Sequence, residues 1–150
     1  MSNLHETVRE RCADAIAHRC RKGNCRLVTD DLPRGQTTIV DVDRYLPELP
    51  VGEKKPDFFV FVTRDGTCAV VVEMKDGRAS AADAEQLQAG ASQVDRLLHD
   101  LQEMAPLPLL VHKSISAIEV RALSRRRVRF RGRRFGIQTC RCGDRLSRQL

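Results

Sequence analysis

The chain has no tryptophan and a single tyrosine. Its core must therefore be packed with aliphatic side chains and its five phenylalanines. Scarce aromatics also leave little to stack on unpaired bases, which argues against base-by-base reading of a single strand. No apolar run approaches the roughly 20 residues that cross a bilayer, so no membrane role is expected. No glycine-rich phosphate loop and no Ser/His/Asp arrangement appears. His5, His18, His99 and His112 are scattered without ligand spacing. The segment MSNLHETVRE is polar and lacks the apolar stretch of a secretory signal. A cytoplasmic protein is the expectation.

Cysteines stand at 12, 20, 25, 68, 140 and 142. In a cytoplasmic protein free thiols are expected rather than disulfides. Cys12 and Cys68 lie in apolar patterns and read as core. Cys20, Cys25, Cys140 and Cys142 are polar-flanked, but C-x4-C and C-x-C are not the usual C-x2-C spacing of zinc knuckles. A structural Zn²⁺ on these four remains an alternative, and with it a zinc-stabilised interaction protein.

Charge is present in one sign at one end. The net is +6. Residues 121–150 hold eleven Arg against one Asp, a net of +10, whereas residues 1–120 hold fifteen Lys plus Arg against nineteen Asp plus Glu, a net of −4. An acidic body with a basic end implies a polyanionic partner such as nucleic acid. Arginine suits bidentate phosphate contacts better than lysine. The plain alternative is a solvated basic tail.

The 150 residues suit one domain, 1–150, with one core. An apolar stripe of Leu4, Val8, Cys12, Ala15 and Ile16 predicts a helix over 3–22, closed by Gly23-Asn24. Residues 25–29 and 37–42 read as strands, and the proline-rich 46–56 as a loop. DFFVFVT (57–63) and TCAVVVEM (67–74) flank Arg64-Asp65-Gly66 and predict an antiparallel hairpin, with Asp76-Gly77 breaking its second strand. Ser80 with Asp83 opens a helix expected to reach Met104, carrying Leu87, Ala91, Val94, Leu98 and Leu101. LPLLVHKS (107–114) reads as a buried strand parallel to its neighbour across the helix. At the end, Val128 and Phe130 alternate with Arg127, Arg129 and Arg131. Gly132 turns the chain, and Phe135 and Ile137 alternate with Arg134 and Gln138. This predicts a C-terminal Arg-rich β-hairpin in the basic extension, about 121–150.

Pro56-Asp57 begins one strand of the central hairpin, and Glu73-Met74-Lys75 ends the other. Antiparallel pairing brings Asp57 close to Glu73. Two adjacent carboxylates do not both stay ionised without a cation between them. Mg²⁺ takes oxygen ligands and keeps several waters, so two carboxylates and a backbone carbonyl leave positions open for phosphate and water. The PD at 56–57 and ExK at 73–75, set in an α-β-β-β-α-β order, resemble the PD-(D/E)xK nuclease superfamily. The likeness covers about residues 3–113. It implies an α/β restriction-endonuclease-like core, with a mixed sheet flanked by helices. It also implies Mg²⁺ or Mn²⁺ held by Asp57, Glu73 and the Met74 carbonyl, with Lys75 acting on the attacking water and the phosphate. Relatives often add a first-helix acid, for which Glu10 is preferred over Glu6, and a helix glutamine, for which Gln86 is preferred over Gln93 and Gln88. DNA is the substrate implied, held by Arg127, Arg129, Arg131, Arg133 and Arg134. His112-Lys113 is a further candidate contact. Asp41 and Asp43 share a strand face, but nothing else supports a second metal there. So small a chain favours structure-guided or loosely specific cutting, or a homodimer. A non-catalytic nucleic-acid-binding module on the same fold is the other reading.

Overall fold

The structure is a computed structural model that describes residues 3–101 and 103–150. Its elements in chain order are α1 (Leu4–Arg11), β1 (Ile16–Ala17), β2 (Cys20–Lys22), β3 (Cys25–Leu27), β4 (Thr37–Asp41), α2 (Val42–Tyr45), β5 (Phe58–Arg64), β6 (Gly66–Ala79), α3 (Ala84–Leu97), β7 (Ala105–Ile115), α4 (Ala117–Ser124), β8 (Arg127–Phe130), β9 (Arg133–Gly136) and β10 (Gln138–Arg141).

Among the described residues the main sheet has six strands in the order β1-β4-β5-β6-β7-β10. Pairing is antiparallel from β1 to β6 and parallel from β6 to β10. Helices flank this mixed α/β sheet. The strand period of two divides the apolar side chains of β5 and β6 between two faces. Phe59, Phe61 and Val71 meet Val8 of α1 and Leu87, Ala91 and Val94 of α3. Val60, Val62, Val70, Val72 and Met74 face Cys20, Cys25 and Leu27 of a separate β2–β3 hairpin, with Leu146 near the C-terminus. Burial on both faces explains the unbroken apolar runs.

The expected helix over 3–22 is the largest correction. It stops at Arg11, and Val8, Cys12 and Ala15 stay buried although the chain after Arg11 is no longer α-helical. Ile16–Ala17 then pairs with β4 as an edge strand. Gly23-Asn24 is the turn of the β2–β3 hairpin, not a helix stop; Lys22 pairs with Cys25, and Gly23 has φ 58°. The expected strand 25–29 belongs to this hairpin. The Ser80 helix ends at Leu97 rather than Met104, and residue 102 of that expectation lies outside the described residues. Guanidinium groups end it: Arg11 donates to Leu97 O at 2.7 Å, and Arg131 to Leu98 O at 2.7 Å and Leu101 O at 2.6 Å. Asp76-Gly77 bulges β6 without ending it, since pairing with β7 shifts between Lys75 and Arg78 and continues to Ala79.

The hairpin 57–74 and the parallel β7 stand as expected. The Arg-rich hairpin forms as β8–β9, with Arg131 (φ 51°) and Gly132 (φ 77°) in its turn. Beyond it, Gln138–Arg141 joins the main sheet beside β7, which was not foreseen.

Free thiols are also corrected. Cys25 and Cys142 form a disulfide spanning 117 positions. It leaves Cys20 and Cys140 as buried free thiols and removes two of the four sulfurs of the zinc alternative. Burial raises the Cys140 thiol to about 12, with Asp144 adding to the rise. A disulfide is rare where thiols are kept reduced, which sits poorly with the cytoplasmic expectation. Among the described residues no helix is long and apolar enough to cross a membrane. Closing so long a loop restricts the unfolded chain, so reduction of Cys25–Cys142 should cost about 2–4 kcal/mol of stability. Urea unfolding with and without reductant measures this; coincident curves would show that the bond does not form in solution.

Candidate active site

β5 starts at Phe58, opposite Val72. Continuing that register by one step sets Asp57 opposite Glu73, on one face of the sheet end. One step further, Pro56 would face Met74. Asp57 fills that gap: its N–H donates to Val72 O at 2.9 Å, and its Oδ2 accepts the Met74 N–H at 2.7 Å. A strand residue sends its N–H and C=O to the same side, so the Met74 carbonyl faces the Asp57 side too.

Glu73 is 3% exposed. Burial, then the Asp57 charge and a hydrogen bond with Asp57, push its carboxyl well above the usual range, while Lys22 and Lys75 pull it back. Lys75 Nζ lies 3.2 Å from Asp83 Oδ1 and 3.5 Å from Glu73 Oε2. Its burial disfavours the charge, but the bonds and charges of Asp83 and Glu73 outweigh that and raise its pKa. Lys75 is thus a fixed ammonium at neutral pH. Asp83 is itself held by the Ser80 N–H at 2.8 Å in a capping box, so the start of the α3 segment aims its carboxylate at Lys75.

A cleft of about 530 Å³ collects Asp57, Glu73, Lys75 and Gln86, with Asp41 and Asp43 on its wall. Gln86 turns inward with a buried Oε1 that has no hydrogen-bond partner among the described residues. Gln93 gives its Nε2 to the Lys54 carbonyl at 2.8 Å, its buried Oε1 likewise lacking a partner among the described residues, and it does not line this cleft; Gln88 is spent on the backbone of Arg129. Asp41 caps α2 through the Arg44 N–H, and Asp43 pairs with Lys55. Glu10 and Glu6 are exposed on α1 and do not line the cleft. His5 is a core residue bonded to Thr38 at 2.7 Å and Thr63 at 2.9 Å. His112 is buried, and Lys113 pairs with Asp76.

Sequence reasoning missed two side chains. Lys22 reaches Asp57, with Nζ 3.1 Å from Oδ1. It was hidden because its segment read as helix. Asp83 was visible only as half of a cap. Of the arginines, Arg127, Arg129, Arg133 and Arg134 are exposed on β8–β9. Arg131 departs from the expectation, since it pairs with Asp95 at 2.8 Å and caps α3.

The donor set suits a hard divalent cation. Two carboxylates share one side of the cleft, and one is buried enough to hold a proton in a cation's place. Among the described residues no group of three or more His, Cys, Asp or Glu side chains could hold a metal. Two carboxylates with substrate oxygens is the usual economy of Mg²⁺. No family model matches the chain, and no curated protein or solved structure matches it.

Two outcomes follow from this geometry. Glu73 binds a proton more tightly folded than unfolded, so in EDTA its contribution to stability should fall as pH rises from the ordinary carboxyl range through its raised value. Glu73→Gln should remove that slope; an unchanged profile would show that Glu73 is not strained by its surroundings. Gly90 of α3 packs on Pro56, where an added Cβ would overlap Val71 Cγ1 and lie 2.7 Å from Pro56 Cγ. Gly90→Ala should therefore destabilise by about 1–3 kcal/mol despite its better helix propensity. Thermal unfolding gives the sign.

Proposed function

We propose that the chain is a metal-dependent nuclease of the PD-(D/E)xK type, acting on phosphodiester bonds, with DNA as the first substrate to try. The carrying observation is Asp57 opposite Glu73 with the Lys75 ammonium 3.5 Å from the Glu73 carboxylate. The succession α1, β4, β5, β6, α3, β7, with β1–β3 and α2 interposed, supports the reading of a restriction-endonuclease-like core. Mg²⁺ or Mn²⁺ held by Asp57, Glu73 and the Met74 carbonyl would neutralise phosphate charge and make the attacking water more acidic.

The chain's own residues then have separate tasks. Lys75, kept protonated by Asp83, faces charge building on the phosphate oxygens and serves as its stabiliser rather than as proton acceptor. Gln86 Oε1 is an open acceptor that can orient a water O–H. Arg127, Arg129, Arg133 and Arg134 offer exposed cations to a backbone, and Arg129 lies directly across from Arg134. A homodimer would supply a second cleft for the other strand of a duplex.

The second reading, a binding module without turnover, is favoured by the Lys22–Asp57 pair, which balances part of the carboxylate charge without any metal. Cleavage of labelled single-stranded, duplex and branched DNA, and of RNA, in Mg²⁺, Mn²⁺ or EDTA separates the two. Glu73→Ala and Lys75→Ala should each cut metal-dependent cleavage by about 10²–10³-fold. Retained activity in Lys75→Ala would remove the role given to it. Binding without cleavage, equal in wild type and Glu73→Ala, would support the module.

A further inference from the structure

A second cleft of about 590 Å³ lies on the opposite side of the β2–β3 hairpin, lined by Arg21, Asn24, Arg26, Lys113, Arg141 and Cys142. Arg21 lines both this cleft and the candidate active site, so the two are neighbours that meet at this side chain. The hairpin register explains the division. Cys20, Cys25 and Leu27 point into the body, Lys22 shares their side and reaches Asp57, and Arg21 and Arg26 face each other on the outer side. Like charges directly across a strand pair are unfavourable unless an anion lies between them. Among the described residues Arg26 and Arg141 make no ion pair of 4.0 Å or less. Arg21 gives only its Nε, to Gly23 O. Two acids stand nearby: Asp76 is paired with Lys113, and Asp144 accepts the Arg141 backbone N–H.

The walls of the cleft are also held in place. Cys25 beside Arg26 is bonded to Cys142 beside Arg141. Backbone bonds continue the join, from Gly143 N to Arg26 O at 2.6 Å, Val28 N to Asp144 O at 2.9 Å and Leu146 N to Val28 O at 2.9 Å. Cys142 N also donates to His112 O at 2.8 Å, which fixes the position of Lys113's neighbour. Four cations from three parts of the chain thus line one groove whose backbone walls are held together, and Arg21 joins it to the neighbouring carboxylate site.

We infer that this groove, running from the Asp57–Glu73–Lys75 cleft over Arg21 to Arg26, Lys113 and Arg141, binds the backbone phosphates of a nucleic acid that extends away from the bond at the site. The assignment of that bond rests on the nuclease reading; the groove's binding does not. Each guanidinium that meets a phosphate releases counterions and steepens the salt dependence of binding.

The test uses the full chain with Glu73→Ala and EDTA throughout, so that turnover plays no part. Binding of labelled duplex DNA, single-stranded DNA and RNA is measured across a salt series. Replacing Arg26→Ala and Arg141→Ala together should lower the salt slope by about two, one per guanidinium. Arg9→Ala with Arg121→Ala, which removes the same charge elsewhere, should leave the slope higher than that. Arg26→Lys with Arg141→Lys should restore most of the slope, which separates lost charge from lost fold. An unchanged slope in the alanine pair, or an equal drop in the Arg9/Arg121 pair, would overturn the groove while leaving the nuclease reading intact. A lowered slope in a protein whose wild type cuts nothing would uphold the groove and end the nuclease reading. The three probes show which backbone the groove prefers.

Discussion

The hydrogen bond from the Met74 N–H to the Asp57 carboxylate is the contact on which the site depends. β6 outruns β5 by several residues, and a proline stands where the next ladder partner would be. A buried amide without a partner is costly. Asp57 removes that cost with its side chain, and in doing so its carboxylate is fixed beside Glu73. Structural satisfaction and chemical placement are one event here. Strand β6 continues through the bulge at Asp76-Gly77, so Lys75 is held by sheet rather than by a loop. Gly90 lets α3 sit close on Pro56, which brings the start of that helix segment, with Asp83 and Gln86, over the same edge.

Charge sets the second constraint. Asp57, Glu73 and Asp83 are met by Lys22 and Lys75. If all five were ionised the group would carry one net negative charge in a largely buried place. Without a metal the raised affinity of Glu73 for a proton closes the balance. A divalent cation held there would favour loss of that proton, and one lysine charge would then be surplus. Lys75 is anchored between two carboxylates, whereas Lys22 has only Asp57 and stands on an exposed hairpin. Lys22 is therefore the cation that a metal would displace.

Much of this was legible. Runs of β-branched residues around Arg64-Asp65-Gly66 can form little but a hairpin, and its antiparallel sense alone brings positions 57 and 73 together. The helical stripe from Leu87 to Leu98 and the apolar run after Pro108 were equally plain. What failed depended on tertiary partners. An apolar period through Leu4, Val8, Cys12 and Ala15 persists after the α-helix stops, because the following turn still faces the core. The end of α3 is set by Arg11 and Arg131, which arrive from remote positions. Glu10 fitted a pattern inferred from resemblance, but α1 leaves it exposed and outside the cleft. No spacing marks Cys25 as the partner of Cys142.

The distribution of arginine shows why charge counted along the chain misleads. The C-terminal run drew attention to β8–β9, yet Arg131 there is consumed in closing a helix and pairing Asp95. Meanwhile Arg21 and Arg26 of one hairpin meet Lys113 and Arg141, from the far end of the sequence, on one groove. Convergence needs the C-terminal segment to return to β3, and the Cys25–Cys142 bond with its flanking backbone contacts holds it there. An incoming polyanion in that groove meets Arg21 and then the site where Lys22 would be released by a metal. On the proposed reading, cation exchange on Asp57 and phosphate arrival would be coupled through adjacent residues of one strand, Lys22 and Arg21.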